Sequence, residues 1–279
     1  MTRSQALLEA AVRLMEAGVP DARLDAEWLL AEALCLPRLE MLVDRDRETD
    51  IAALSRFFDN VSRRATREPL QYILGEAAFM GHDFSVEPGV LIPRADTETL
   101  LLRALEKAGP GVLALDLCCG SGCLGISLKL ARKDVRVILS DLSQTAVQIS
   151  QKNAARLGAD VEVRRGDLFQ PLSGLAFDLI LVNPPYIPRG DLKGLQPEVL
   201  REPPLALDGG EDGLLFYRRL MQEAPAFLTP GGYLLMELGD GQAESVSALV
   251  PDFFAEPSVF PDLTGRPRVL ETSKVKDVH

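Results

Sequence analysis

From its N-terminus the chain changes hydrophobic rhythm twice. Up to about Gly75, apolar residues recur three and four positions apart: Leu7, Ala11, Leu14 and Met15, then Leu29, Leu30, Ala33 and Leu34, then Ile51, Leu54, Phe58 and Val61. That spacing stacks side chains on one helix face. Asp21 or Asp25 is placed to cap the second helix, and Pro37 suits the first turn of a short third. A helical bundle is expected over residues 1–75, with Trp28 in its core or at a domain interface. From 76 to 93 the period drops to two. Phe79, Phe84 and Val86 alternate around Gly81-His82-Asp83, which predicts a β-hairpin linker with His82 at an exposed tip.

Beyond residue 94, short apolar runs alternate with helical stretches. Strands are expected over 112–117, 135–139, 161–164, 177–182 and 233–238. Helices are expected from Leu124 to Leu130, from a Ser143 cap to Leu157, and from Asp212 to Leu228. Such a βαβ succession folds as an α/β, doubly wound, mainly parallel sheet. Ligands of such sheets bind beyond the carboxyl ends of the strands, at the switch point. The chain is therefore divided into helices over 1–75, a hairpin linker over 76–93 and an α/β domain over 94–279.

Composition narrows the partners. The 279 residues are 47% hydrophobic and carry a net charge of −11. A surface built to grip phosphates is basic, so nucleic acid is not the expected partner. No apolar run approaches the length of a membrane span and no signal-like segment opens the chain. A soluble, cytoplasmic protein is expected, with no membrane partner. Cys118, Cys119 and Cys123 crowd together without a CxxC pair or a nearby histidine, so no metal is expected. His82 and His279 are the two histidines, which leaves little room for histidine-based nucleophilic catalysis.

Polar residues gather where the strands end. Asp116-Leu117-Cys118-Cys119-Gly120-Ser121-Gly122-Cys123-Leu124-Gly125 contains a G-x-G-x-x-G, which by itself suggests a dinucleotide. Gly120 comes four residues after Asp116, however, and an acid at that strand end would repel a pyrophosphate. An acid there suits a ligand carrying an amino cation. The pattern resembles the first motif of class I S-adenosylmethionine-dependent methyltransferases, with Cys118 where a glycine is usual. Gly120 and Gly122 would let the backbone approach the methionine end, and Asp116 would face its amino group. Asp141 is placed to accept from both ribose hydroxyls or, alternatively, to cap the following helix; with Ser143 available as a cap, the ribose role is the expectation. Asp167 would address the adenine amino group, with Leu168 or Phe169 against the ring, unless Gly166-Asp167 is simply a turn.

The run Phe177–Val182 ends in Asn183-Pro184-Pro185-Tyr186. Prolines break pairing and leave carbonyls that no sheet partner claims. The Asn183 side chain and the Pro184 carbonyl could each take one N–H of a planar amino or amide group, with Tyr186 supplying a flat face. That arrangement serves methyl transfer to nitrogen.

Four further stretches sharpen the likeness: Glu68–Gly75, Val90–Glu98 with its Ile92-Pro93-Arg94, Asp208–Leu214, and Gly265–Val269. Together with Asn183–Tyr186 they resemble the bacterial peptide chain release factor glutamine N5-methyltransferases along nearly the whole chain. The resemblance implies a Rossmann-like catalytic domain and S-adenosylmethionine as donor, with S-adenosylhomocysteine as product. It implies the glutamine of the release factor Gly-Gly-Gln loop as acceptor, in a monomeric enzyme whose helices and hairpin help dock the factor. Asn183, Pro184, Pro185 and Tyr186 would be catalytic; Asp116, Cys118, Gly120, Gly122, Asp141, Asp167, Leu168 and Asn183 would hold the cofactor. Arg94 would either touch substrate or form a structural ion pair. Adenine-N6 methylation of nucleic acid and glutamine methylation of a ribosomal protein are the alternatives that share the tetrapeptide.

Overall fold

The computed structural model describes residues 1–275; His279 lies outside them. One compact unit comprises Met1–Glu76 together with Gln196–Arg201. It contains α1 (Arg3–Glu16), α2 (Ala22–Ala33), α3 (Arg38–Val43), α4 (Ile51–Ala65) and α5 (Leu70–Leu74). A capping box opens α1, in which Thr2 Oγ1 accepts from the Gln5 amide and Gln5 accepts in return from the Thr2 amide. Asp50 caps α4.

The buried faces overlap the expected stripes in part: Leu14, Leu29, Leu30, Ala33 and Val61 are buried. On α1 the inward residues are Ala6, Ala10 and Leu14, while Leu8 and Met15 point outward. On α4, Ala53, Phe57 and Val61 are buried and Ile51 is exposed. Alanines let helices pack closely, so the core face is marked by small side chains. Trp28 is 43% exposed rather than buried, with the Arg38 guanidinium 5.7 Å from its ring centre. Asp21 precedes α2 without a side-chain cap bond. Asp25 instead meets Arg64 inside the bundle at 2.7 Å. Arg64 and Arg67 also bind Glu198. Burial alone would raise that carboxyl, but the Arg67 and Arg64 hydrogen bonds hold it down at about 2.

The second unit comprises Ala77–Leu195 and the chain from Glu202 onward. The hairpin is β1 (Glu76–Phe79) and β2 (His82–Ser85). Phe79 and Phe84 meet edge-on at 6.2 Å and are buried with Leu100 and Leu124. By packing, then, the segment expected as a linker belongs to the α/β core.

There follow α6 (Thr97–Lys107), β3 (Leu113–Leu117), α7 (Cys123–Ala131), β4 (Arg136–Asp141), α8 (Gln144–Leu157), β5 (Glu162–Arg165) and β6 (Phe177–Val182). The chain ends with α9 (Leu215–Glu223), β7 (Leu228–Glu237), α10 (Ala243–Ser247), β8 (Ser258–Pro261) and β9 (Pro267–Ser273). The sheet order is β5-β4-β3-β6-β7-β9-β8. The first five are parallel, while β9 runs antiparallel to both β7 and β8. Alternation assigns Ala114, Leu139, Leu179 and Leu181 to one core and Leu115, Ile138 and Ile180 to the other. Burial on both faces is why the central strands read as continuous apolar runs.

The helix expected from Asp212 starts at Leu215 instead. Asp212 accepts the Leu214 amide, and Gly213 has φ +76°, outside the helical region. Residues 229–232 interrupt the pairing of β7, whose register jumps from Phe177–Leu228 to Leu179–Tyr233. The switch point lies at β3, whose neighbours β4 and β6 carry the chain in opposite directions across the sheet.

Candidate active site

A cleft of about 1030 Å³ of empty space, open at its mouth, lies beyond the carboxyl ends of β3, β4, β5 and β6. That is room for a nucleotide-sized ligand. Cys118, Asp141, Asp167, Leu168, Asn183 and Arg94 all line it.

The turn from β3 into α7 forms one wall. Cys118 has φ +59°, the left-handed conformation that the glycine it replaces would adopt freely. Holding a non-glycine residue there costs about 1–2 kcal/mol, so the turn is kept and its strain is tolerated. Gly125 is required for contact rather than for φ: a Cβ there would sit 2.9 Å from Asp116 Cβ. That close approach lets the Gly125 amide donate to Asp116 Oδ2 at 2.8 Å.

Asp116 does not itself line the cleft. Its Oδ1 is buried and has no hydrogen-bond partner among the described residues. Burial pushes this carboxyl up to about 7 against the lowering effect of the Gly125 amide, and nearby Asp141 adds to the rise. A buried, half-satisfied carboxylate is suited to a ligand cation or a bridging water. Burial also pushes up the thiols of Cys118 and Cys119, and that of Cys123 to about 12. All three are free, and they are uncharged near neutrality.

Asp141 ends β4 with its carboxylate in the cleft wall. Oδ1 accepts from the Ser143 amide and Oδ2 from the Gly120 amide, both within 2.9 Å. The helix cap is Ser143, whose Oγ accepts from Ala146. Asp141 is therefore not the cap; it ties the glycine turn to β4, and its remaining lone pairs can accept from a vicinal diol. Burial raises its carboxyl despite the amides of Ser143 and Gly120. Asp167 is in place but engaged, forming a two-pronged pair with Arg219 at 3.0 Å on each side. Leu168 lines the cleft with φ +44°. Phe169 is turned away, buried and stacked on Phe227 at 4.7 Å.

The opposite wall is the loop after β6. Asn183 and Pro185 line the cleft, whereas Pro184 and Tyr186 do not. Asn183 Nδ2 donates to Thr97 Oγ1 at 3.3 Å. Among the described residues nothing donates to Asn183 Oδ1 or to the Pro184 carbonyl. Tyr186 is held from both ends. Its hydroxyl donates to Glu237, and its carbonyl accepts from Gln242 Nε2 at 2.9 Å. The Gln242 carbonyl oxygen in turn accepts from the Gly239 amide, while the Tyr217 hydroxyl donates to the Glu237 carbonyl at 2.8 Å.

The stretch Asp208–Leu214 presses on the same loop. The Ile187 amide donates to the Leu207 carbonyl and the Gly209 amide donates to the Ile187 carbonyl, and a Cβ on Gly213 would sit 2.4 Å from the Tyr186 carbonyl oxygen. Arg94 pairs with buried Glu202, which also accepts the Ile92 amide. Thus Ile92-Pro93-Arg94 is fastened beside Pro203 and Leu205 at the cleft.

Sequence reasoning passed over Thr97, Glu202, Glu237 and Gln242. Glu237 had a usable signal. It ends the apolar run Leu234-Leu235-Met236 as Asp116 ends Leu113-Ala114-Leu115, and an acid terminating a buried parallel strand faces the functional edge.

Fold and cleft together define a Rossmann-like α/β domain with a nucleotide-sized cleft at its switch point. A methyltransferase from Pyrococcus furiosus superposes with a TM-score of 0.54 at 18% identity, covering 71% of this chain and 91% of that one. A Thermus thermophilus 16S rRNA N2 G1207 methyltransferase, solved with AdoMet and guanosine, gives 0.51 at 22% identity, covering 71% and 49%. The PrmC N-terminal domain matches residues 5–75 and the methyltransferase small domain residues 88–195. The release factor glutamine methyltransferase of Geobacter sulfurreducens is 49% identical over 84% of this chain and 82% of its own length. That of Moorella thermoacetica is 43% identical over 96% and 97%. The chain belongs to the release factor glutamine methyltransferase family.

Proposed function

We propose that this chain transfers a methyl group from S-adenosylmethionine to the side-chain amide nitrogen of the glutamine in the Gly-Gly-Gln loop of peptide chain release factors. The observation that carries this reading is the pair of unclaimed acceptors on consecutive residues, Asn183 Oδ1 and the Pro184 carbonyl, at the edge of an acid-lined cleft. A primary amide has two N–H bonds to give, and two acceptors fix its plane.

The cofactor supplies an electrophilic methyl group on a sulfonium centre. Asp141 would hold its ribose, Asp116 its amino cation directly or through water, and Asp167 and Leu168 its adenine. The orphaned Asp116 Oδ1 fits a cationic group. An amide nitrogen is a poor nucleophile because its lone pair is delocalised, the same resonance that sets a peptide rotation barrier of about 18–20 kcal/mol. Asn183 and Pro184 polarise both N–H bonds and aim the lone pair. Preorganised acceptors supply that alignment without reorganising during the reaction. The net charge of −11 supports a protein substrate over a nucleic acid. No helix among the described residues is long and apolar enough to cross a membrane; the reading of a monomer acting on translation factors in the cytoplasm rests on the family likeness.

The test is methyl transfer to a purified release factor and, separately, to an oligonucleotide, read by mass. One methyl on the Gly-Gly-Gln peptide is expected. Asn183→Ala should lower its rate by roughly a hundredfold or more. Transfer to adenine with none to any release factor would overturn the reading.

A further inference from the structure

The carbonyl of Tyr186 is gripped by a side chain that has one way to lie. Gln242 directly precedes α10, and its backbone is fixed on both sides. Its amide donates to the Gly239 carbonyl at 3.1 Å, and its carbonyl accepts from the Val246 amide at 2.9 Å. From that support the side chain reaches across to the acceptor loop. Oε1 accepts from the Gly239 amide at 3.1 Å, and Nε2 donates to the Tyr186 carbonyl at 2.9 Å. Both partners are backbone groups, one a donor only and the other an acceptor only. Reversing the amide would set N–H against N–H and oxygen against oxygen, so its neighbours dictate its orientation. Space is dictated as well. A Cβ on Gly239 would fall 2.4 Å from Oε1, and one on Gly213 would fall 2.6 Å from Nε2, so two glycines leave a slot that the amide fills.

What this clamp controls follows from the chain that leads to Tyr186. Val182, the last residue of β6, is paired with Leu117 and Met236. Between it and Tyr186 stand Asn183, Pro184 and Pro185. Both proline rings fix φ, and Asn183 and Pro184 each precede a proline, which confines their ψ to the extended range. With so few soft dihedrals between two anchored ends, the direction of the Pro184 carbonyl depends on how the Tyr186–Ile187 peptide is held. That peptide is held from both edges: its N–H donates to the Leu207 carbonyl at 3.0 Å, and its C=O accepts from Gln242. The Tyr186 hydroxyl bond to Glu237, at 3.3 Å, acts at the far end of the side chain, whereas Gln242 acts on the backbone itself. We propose that Gln242 is a positioning residue for methyl transfer: by clamping the Tyr186 carbonyl it fixes the direction of the Pro184 carbonyl, the second acceptor for the substrate amide. The proposal rests on the reading above, in which that carbonyl takes one N–H of the substrate glutamine. Gln242 does not line the cleft; it acts through the backbone of the loop.

The test compares wild type with Gln242→Met and Gln242→Glu for kcat and for KM of a release factor. Cofactor dissociation constants and binding stoichiometry are measured by calorimetry, so that rates are stated per folded molecule. Methionine keeps the length of the side chain and removes both bonds. Its kcat is expected to fall by roughly tenfold to a hundredfold, with cofactor binding within about twofold of wild type. The ratio kcat/KM should fall in step with kcat, as when an interaction made only in the transition state is lost. Gln242→Glu supplies a readout that a merely structural role would not move. An ionised carboxylate accepts from Gly239 but opposes the Tyr186 carbonyl; a protonated one matches the amide, with its O–H donating to that carbonyl. Burial raises such a carboxyl, so the ratio of variant to wild-type kcat is expected to rise several-fold from about pH 9 down to about pH 6. Taking the ratio cancels the titration of groups that both proteins share around this position. These are Tyr217, whose hydroxyl lies 3.4 Å from Gln242 Oε1, Tyr186, Glu237, Asp240 and the cation of Arg268. An undiminished kcat in Gln242→Met, a ratio for Gln242→Glu that does not change with pH, or a loss of cofactor affinity as large as the loss of kcat would each overturn the proposal. If one variant does not fold, the other decides the question by itself. Wild-type enzyme that fails to methylate any release factor overturns the functional reading instead, so the two failures are distinct.

Discussion

The two walls of the cleft are built on the same sheet edge by opposite means. On the wall formed by β3, β4 and β5, acids hold backbone amides and keep capacity in reserve: Asp141 binds two amides, and Asp116 keeps one buried oxygen unpaired. The same wall keeps two non-glycine residues, Cys118 and Leu168, at positive φ. On the wall formed by β6 and β7 nearly everything is fastened. Gln242 grips the Tyr186 carbonyl, Glu237 grips its hydroxyl, and Gly209 and Gly213 press against its backbone. What remains unclaimed there is a pair of acceptors. The contrast fits the roles proposed for the two walls. A charged, diffusible ligand is held by polar groups left unsatisfied until it arrives. A weak nucleophile gains mostly from orientation, and orientation requires a backbone that cannot shift.

If the walls are separable in this way, damage to the scaffold of the second should cost turnover and spare cofactor binding. Gly213→Ala is the sharpest probe. Its Cβ would fall 2.4 Å from the Tyr186 carbonyl oxygen and 2.6 Å from Gln242 Nε2, at φ +76°. The loop must move, and a displacement near 1 Å costs about a hundredfold in rate. A fall in kcat of that order, with the cofactor dissociation constant unchanged by calorimetry, is the expected outcome. A comparable loss of cofactor affinity would show that the walls act as one.

The converse probe is Asp141→Ala. Removing charge-assisted hydrogen bonds of about 1.5–3 kcal/mol each should weaken cofactor binding by roughly tenfold to a hundredfold. At saturating cofactor, kcat should stay within a few-fold of wild type. A variant that binds cofactor normally but turns over slowly would reverse the assignment of the two walls.

The walls were also unequally legible. Strand β6 was expected over the residues it occupies, and α8 starts at the Ser143 cap and ends at Leu157 as read. A strand buried on both faces and a serine cap are local signals, and local signals survive folding. Asp116, Asp141 and Asn183 stood out because each lies within one residue of the carboxyl end of a strand. What was not legible depends on partners far apart in sequence. The Asn183–Thr97 hydrogen bond joins residues 86 positions apart, so no spacing rule can find it. The orphaned oxygen of Asp116 is a property of burial, not of sequence. In the helical unit the error was of another kind. Leu14, Leu29, Leu30, Ala33 and Val61 are buried as expected, but Ala6, Ala10 and Ala26 share the contact face and Met15 and Trp28 lie outside, because close helix crossing favours small side chains.

The finest distinction between the walls is electrostatic. Each buries one acid whose carboxyl is pushed up to about 7, Asp116 in the cofactor wall and Glu237 in the acceptor wall, both chiefly by burial. Asp116 is faced by Asp141 and the thiols of Cys119 and Cys123; Glu237 is faced by Arg268, Asp96, Thr97 and Tyr186. In the folded protein these groups hold a proton that the unfolded chain releases near pH 4. Between those values the folded state binds more protons, so stability falls as pH rises and levels off above about 7. For one group with a folded value of about 7, the loss between pH 6 and pH 8 is about 1.4 kcal/mol. Denaturant titrations of the ligand-free protein should show that loss from both acids. Asp116→Asn should remove one share and Glu237→Gln the other. Saturating cofactor should abolish the Asp116 share, since a cation beside that carboxylate favours its ionised form, and should leave the Glu237 share intact. A cofactor that flattened both shares equally would mean that its charge reaches across the cleft, and the division into two walls would then hold for geometry but not for electrostatics.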